Sequence, residues 1–64
     1  MVSIGEAIKA VRKQCDLRQI DIANAMTVTQ SYISQIENGR EIPTAMFIKL
    51  FCLLYSVDER KLLN

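Results

Sequence analysis

The sequence predicts an all-α fold, five short helices forming a single domain over residues 1–64. Three observations carry that reading. Apolar residues recur at three- and four-residue intervals, the period of a helix with one buried face. Ser3, Thr29, Thr44 and Asp58 each stand just before such a stretch, where a side-chain oxygen can accept from the first helical turn. No stretch alternates as a strand would, repeats itself or thins into a low-complexity linker.

The elements follow in chain order. SIGEAIKAVRKQ opens with Ser3 and Glu6 in capping-box spacing, then places Ile4, Ala7, Ile8 and Val11 on one helical face. A shorter helix runs from about Gln19 to Met26, with Ile22, Ala23 and Met26 turned inward. Thr29 caps the third helix, and ENGR ends it with Gly39, suited to a left-handed C-terminal residue. The gap between the second and third helices is only about three residues. After REIP, Thr44 caps a helix running to about Leu54, and Asp58 caps a last short one through Leu63.

Size and composition narrow the function. A chain of 64 residues buries only about 60% of the surface its unfolded form exposes, so a partner subunit would supplement a marginal core. Cys15 and Cys52 are too few for a disulfide framework and are expected to stay reduced. With no histidine in the chain there is no familiar zinc-ligand spacing and no imidazole base, so neither a metal nor a cofactor is expected. No apolar run approaches the roughly eighteen residues of a membrane span, and the N-terminus lacks a signal-peptide layout. A cytoplasmic protein with no membrane partner is the expectation. Net charge is +1, and Lys9, Arg12, Lys13, Arg18 and Arg40 are interleaved with Glu6, Asp16, Asp21 and Glu37. Bulk charge therefore gives nucleic-acid binding no help, and any such case must come from geometry.

Two charged residues fall where apolar ones belong. Arg12 lies four residues beyond Ile8 on the stripe of the first helix, and Glu37 lies four beyond Ile33 on the inner margin of the third. Each alone is costly to desolvate, so the economical inference is a hydrogen-bonded ion pair tying the two helices together. The alternative is that both side chains reach out to solvent.

Helices joined by so short a gap cross steeply and need a small residue where their backbones approach, a place Ala23 fills. LRQIDIANAMTVTQSYISQIENGREIPTAMFIKLFCLLYSVDERKLL resembles the phage repressor and Cro-type helix-turn-helix domain, the Xre family, over nearly the whole chain. The matching elements are Arg12, Gln19, Ala23, Val28, Ile33, Ile36, Glu37, Asn38, Gly39 and Pro43, in order and spacing. The resemblance implies a lambda-repressor-like fold with the motif over about 19–38, and it supports the Arg12–Glu37 pair. Two positions depart from the family pattern. Thr27 stands in the motif turn where the family usually has Gly, and a β-branched residue at positive φ is strained. Arg18 stands where the family favours a Ser or Thr cap, and is expected to face a phosphate instead.

In this motif the second helix enters the major groove while the first crosses the backbone. Here that recognition helix spans about 30–37. Gln30 and Gln35 carry amides able to bond adenine N6 and N7 together, and Ser31 and Ser34 serve as donor or acceptor. Tyr32 could offer its ring edge to a thymine methyl or its hydroxyl to a phosphate, or simply cover the core edge beside Ile33. Gln30, Ser31 and Gln35 match the family's base-reading positions; Gln and Ser on a short helix are otherwise ordinary solvated residues. Phosphate contacts are expected from Arg18, from Gln19 and the helix start it opens, from Thr29, and from Asn38 and Arg40 past the recognition helix. Lys9 and Lys13 read as solubility residues.

One such domain reads few base pairs, so pairing as a homodimer on a palindromic operator is expected. AMFIKLFCLLY is apolar all round except Lys49, more than so small a chain can cover by itself. Phe47, Phe51, Tyr55, Val57, Leu62 and Leu63 are the interface candidates, although most are equally explicable as core. The resemblance points to a transcriptional regulator of double-stranded DNA with no enzymatic activity and no small-molecule ligand: a stand-alone repressor, a Cro-like protein, a restriction-modification controller or a small antitoxin. The competing reading is a protein-interaction module that docks its partner on the apolar helix over 44–55.

Overall fold

The computed structural model describes residues 3–63, with side chains through residue 62. The helices are α1 (Ile4–Gln14), α2 (Gln19–Met26), α3 (Gln30–Glu37), α4 (Ala45–Leu54) and α5 (Glu59–Leu63). All but α2 begin where a side-chain oxygen meets a free N–H of the first turn. Ser3 Oγ accepts from Glu6 N at 3.2 Å, Thr29 Oγ1 from Tyr32 N at 3.0 Å, Thr44 Oγ1 from Phe47 N at 3.1 Å, and Asp58 Oδ1 from Arg60 N at 3.0 Å. At α2 the roles are reversed. Arg18 has no acceptor to offer, so the Asp21 carboxylate reaches back to the Arg18 N–H at 2.8 Å.

The ends of α1 to α4 share one device. Asp16, Thr27, Gly39 and Ser56 all sit at positive φ, between 54° and 77°. The next N–H then turns back onto the last helical turn: Leu17 to the Arg12 carbonyl at 3.0 Å, Val28 to Ala23 at 2.9 Å, Arg40 to Gln35 at 2.8 Å and Val57 to Cys52 at 2.9 Å. Thr27 is thus left-handed, φ 58°, as its place in the motif turn demands.

α3 lies against α2 and α1, α1 also meets α5, and α4 packs on α2 and α5. Ile8, Ile22, Ala23, Ile33, Ile36, Phe47, Ile48, Phe51, Cys52 and Leu62 fill the space between them. An aromatic row crosses this core. Tyr32 meets Phe47 edge-on at 5.7 Å, Phe47 stacks on Phe51 at 6.2 Å, and Phe51 meets Tyr55 at 5.1 Å. α1 comes so close to the end of α3 at Gly5 that a Cβ there would overlap the Ile36 carbonyl oxygen.

Arg12 and Glu37 meet in the interior. Arg12 Nε donates to Glu37 Oε2 at 2.7 Å and Nη2 to Oε1 at 3.0 Å, a two-pronged pairing. Arg12 Nη1 also donates to the Leu17 carbonyl at 2.9 Å, and Gln19 Nε2 donates to Glu37 Oε1 at 3.1 Å. The Glu37 side chain is 1% exposed and that of Arg12 12%, so neither extends into solvent. Hydrogen bonding to Glu37 holds the Arg12 guanidinium above its ordinary pKa. One carboxylate therefore gathers α1, α2 and α3.

The interface candidates are redistributed. Phe47, Phe51 and Leu62 belong to the protein's own core, and Tyr55 and Val57 are half-buried against it. The Leu63 side chain lies outside the described residues. Among the described residues, the large apolar side chains left in solvent are instead Ile42, Met46, Leu50, Leu53 and Leu54. The periodicity of an all-apolar helix does not say which side faces inward; the rotation of α4 against α2 and α5 does.

Three stability changes follow. Glu37→Ala strands Arg12 in the interior and is expected to cost about 3–5 kcal/mol, of the order of the whole stability of so small a domain. A thermal melt followed by circular dichroism would show it, and an unshifted melt would remove the pair from its role. Thr27→Gly releases left-handed strain and should raise stability by about 1 kcal/mol, which for a small domain is about 4–8 °C in melting temperature. Gly5→Ala should lower the melting temperature despite the better helix propensity of Ala, because the added methyl meets backbone and not a movable side chain.

Candidate nucleic-acid interface

The α2–α3 pair is held from behind by the Arg12–Glu37–Gln19 cluster, which leaves the opposite face of α3 to solvent. That face carries Gln30, Ser31 and Gln35, all exposed, with Ser34 half-exposed beside them. Its polar groups are partly ordered by spacing of one helical turn. Gln35 Nε2 donates to Ser31 Oγ at 3.1 Å and Asn38 Nδ2 to Ser34 Oγ at 3.4 Å. The result is a short row of amides and hydroxyls carrying no ionised group. Such groups match the mixed donor and acceptor pattern of base edges better than that of phosphates. Tyr32 stands apart from the row, half-buried with its ring against Phe47.

The flanking residues fall at the two ends of the motif. Gln19 turns its side chain inward to Glu37, so what α2 offers outward at its start is backbone N–H and the positive end of its dipole. Arg18 is exposed there but engaged: Nε and Nη2 donate to the Asp21 carboxylate at 3.1 and 3.0 Å. This pairing holds the Asp21 carboxyl below the usual range and keeps a negative charge at the same helix start. A phosphate approaching α2 would compete with Asp21 for Arg18. Thr29 caps α3 with its oxygen and keeps its hydroxyl proton to donate. Asn38 and Arg40 are exposed past the other end, with the Arg40 backbone pinned to Gln35 while its side chain stays in solvent.

Three contributions escaped the sequence reading. Gln19 acts through its side chain on Glu37, Asp21 supplies the cap that Arg18 lacks, and Gly5 permits the close approach of α1 to α3. Asp21, three residues after Arg18, had the spacing of a capping-box partner. Gly5 precedes Ile8 by three and Arg12 by seven, which places it on the same stripe as the clamp. Nothing local marks the inward turn of Gln19.

Comparison with known proteins agrees with this geometry. The helix-turn-helix family model HTH_3 matches residues 8–62. The chain is 34% identical over 55 residues to the ImmF control region 10 kDa protein of Bacillus phage phi105, which covers 86% of this chain and 61% of that protein. It is 31% identical over 67 residues to Antitoxin PezA of Streptococcus pneumoniae serotype 4 (strain ATCC BAA-334 / TIGR4), covering 95% of this chain and 42% of that protein. The chain thus spans less than two thirds of the length of either curated relative. Among solved structures it resembles the master regulator for biofilm formation SinR, crystallised in complex with DNA, with a TM-score of 0.85 and 29% identity over 95% of this chain and 98% of that one. Five helices in this order, a left-handed turn between α2 and α3 and a family match over most of the chain lead to one conclusion: the protein belongs to the helix-turn-helix family of phage-repressor, or Xre, type.

Proposed function

We propose that the chain is a sequence-specific, double-stranded DNA-binding transcriptional regulator that acts as a homodimer on a palindromic operator, with no enzymatic role. The observation that carries this reading is the exposed row of Gln30, Ser31, Ser34 and Gln35 on a helix held from behind by a buried ion pair. A helix of this size fits the major groove, and its uncharged side chains suit base edges. Gln30, exposed at the start of α3, carries an amide able to make a two-pronged contact with adenine. Asn38 and Arg40 beyond α3, with Thr29 and the start of α2 before it, supply the phosphate contacts that set register. The likeness to SinR, solved in complex with DNA, supports DNA as the partner.

A second reading is favoured by the likeness to Antitoxin PezA and by the bare apolar face of α4: a module whose partner is another protein. Salt separates the two. DNA binding through phosphate contacts weakens steeply as salt rises, because condensed counterions are released; an apolar interface does not.

Selection of duplexes from a random pool should return a palindromic motif bound with a steep inverse salt dependence. Gln30→Ala and Gln35→Ala should each relax the preference at the touched base pair by about 1–3 kcal/mol, leaving other positions unchanged. A pool with no enriched motif would overturn the regulator reading in favour of the protein-binding one.

A further inference from the structure

The end of α3 carries a reactivity that contact with DNA does not call on. Asn38 is followed by Gly39, whereas Asn24, inside α2, is followed by Ala25. The backbone nitrogen after an asparagine can close a five-membered ring on that side chain's amide carbon, and a side chain on the following residue obstructs the approach. Gly39 brings no such obstruction, and a Cβ built there would meet no heavy atom beyond the adjoining residues within 4 Å. Asn38 itself is exposed. Its amide donates to Ser34 Oγ at 3.4 Å, longer than an ordinary N–H···O bond, so the group that leaves is lightly held.

We propose that Asn38–Gly39 is a site of spontaneous deamidation, gated by the end of α3, which converts the free chain into a form with a weaker hold on DNA. In the first step the Gly39 nitrogen bonds to Asn38 Cγ, the Cγ–Nδ2 bond breaks, and the amide departs as ammonia with the proton of the Gly39 N–H. Water then opens the cyclic imide, its hydroxyl going to a carbonyl carbon and its remaining hydrogen to the Gly39 nitrogen. Opening at Cγ leaves an aspartate at position 38. Opening at the main-chain carbonyl leaves an isoaspartate, whose backbone runs through the former side chain and is one carbon longer. Water is the only co-reactant.

The folded end of α3 sets the pace. Asn38 sits at φ −90° and ψ 2°, which turns the Gly39 nitrogen away from the Asn38 side chain, and the Gly39 N–H is engaged with the Ile36 carbonyl at 3.1 Å. Ring closure requires that ψ rotate and that this bond break, a local opening of the kind helix ends undergo without global unfolding. The Arg40 and Glu41 N–H groups, both on the Gln35 carbonyl at 2.8 and 3.2 Å, oppose that opening. Glu37, one residue earlier, is tied to Arg12 and Gln19, so the clamp limits how far the end of α3 frays. The consequence rests on the DNA-binding reading above. Either product places a carboxylate where the chain meets a phosphate, and the isoaspartyl form also displaces Arg40. Duplex that holds Asn38 and Arg40 keeps the turn closed, so bound chains keep their amide and free chains lose it.

Tandem mass spectrometry of the whole chain, incubated for days in neutral buffer without DNA, tests the site. Position 38 should gain the difference in mass between a hydroxyl and an amino group and should accept a methyl group from a protein isoaspartate methyltransferase, while position 24 does neither. Asn38→Gln, whose longer side chain needs a larger ring, should keep its mass. Gln19→Ala, which removes one support of Glu37, and urea well below the unfolding transition should each speed the reaction severalfold. The aged chain, separated by anion exchange, should bind duplex about fivefold more weakly at low salt, the size of one charge repulsion in water, and excess duplex should slow the ageing severalfold. An unchanged mass at position 38, a rate in the folded chain equal to that in unfolding urea, ageing unslowed by bound duplex, or an aged chain that binds like the fresh one would each overturn the inference. A chain that deamidates at Asn38 yet never binds duplex keeps the site and loses its consequence together with the DNA reading; one that binds duplex and keeps its amide loses the site and leaves that reading intact.

Discussion

A single buried carboxylate organises the recognition motif. Glu37 ends α3, and its two oxygens accept from Arg12 on α1 and Gln19 on α2, so three helices share one anchor. Ionised groups in an interior are weak evidence of net stability, since the cost of taking both from water offsets most of their attraction. Their value lies in geometry. Apolar side chains such as Ile33 and Ile36 tolerate small rotations of a helix, whereas a two-pronged guanidinium–carboxylate contact tolerates little. The clamp therefore sets the rotation of α3 about its axis and, with it, which side chains face outward. Gly5 acts at the same place by letting the α1 backbone come against the last turn of α3.

The helix ends distribute the chain in a related way. Each of α1 to α4 stops at a left-handed residue, and the residue that follows is directed by the same turn. After α1, α2 and α4 that residue is Leu17, Val28 or Val57, and each packs against the core. After α3 it is Arg40, exposed to solvent. The same backbone device thus closes the core at three places and presents a cation beside the polar row at the fourth. Using the β-branched Thr27 at one of these turns means that tertiary packing overrides local preference there.

The surface divides into two regions of opposite character. The outer face of α3 is polar, uncharged and small in its side chains, as suits hydrogen bonding to a patterned surface. The outer face of α4 is apolar and nearly without charge, as suits association. Between them lies a groove lined by Val28 and Tyr32 on one side and by Met46 and Leu50 on the other. Among the described residues, the large apolar side chains that so small a domain leaves exposed lie on α4 and, with Ile42, in the approach to it.

Much of this was legible in the residues alone, for a physical reason: caps, left-handed ends and helical stripes are interactions between positions at most about six apart in the chain. Ser3, Thr29, Thr44, Asp58 and Gly39 therefore marked their helix boundaries directly, and the anomalous charges of Arg12 and Glu37 exposed a contact between distant helices because each violated its own stripe. What only the tertiary structure decided concerns residues whose local pattern carries no direction. A helix apolar all round, as α4 is, has no preferred inward side until its neighbours choose one, so Phe47 and Phe51 went to the core and Leu50 and Leu53 to solvent. Gln19 likewise had two environments open to it at a helix start, and the nearness of a buried carboxylate, which depends on how α2 meets α3, drew it inside.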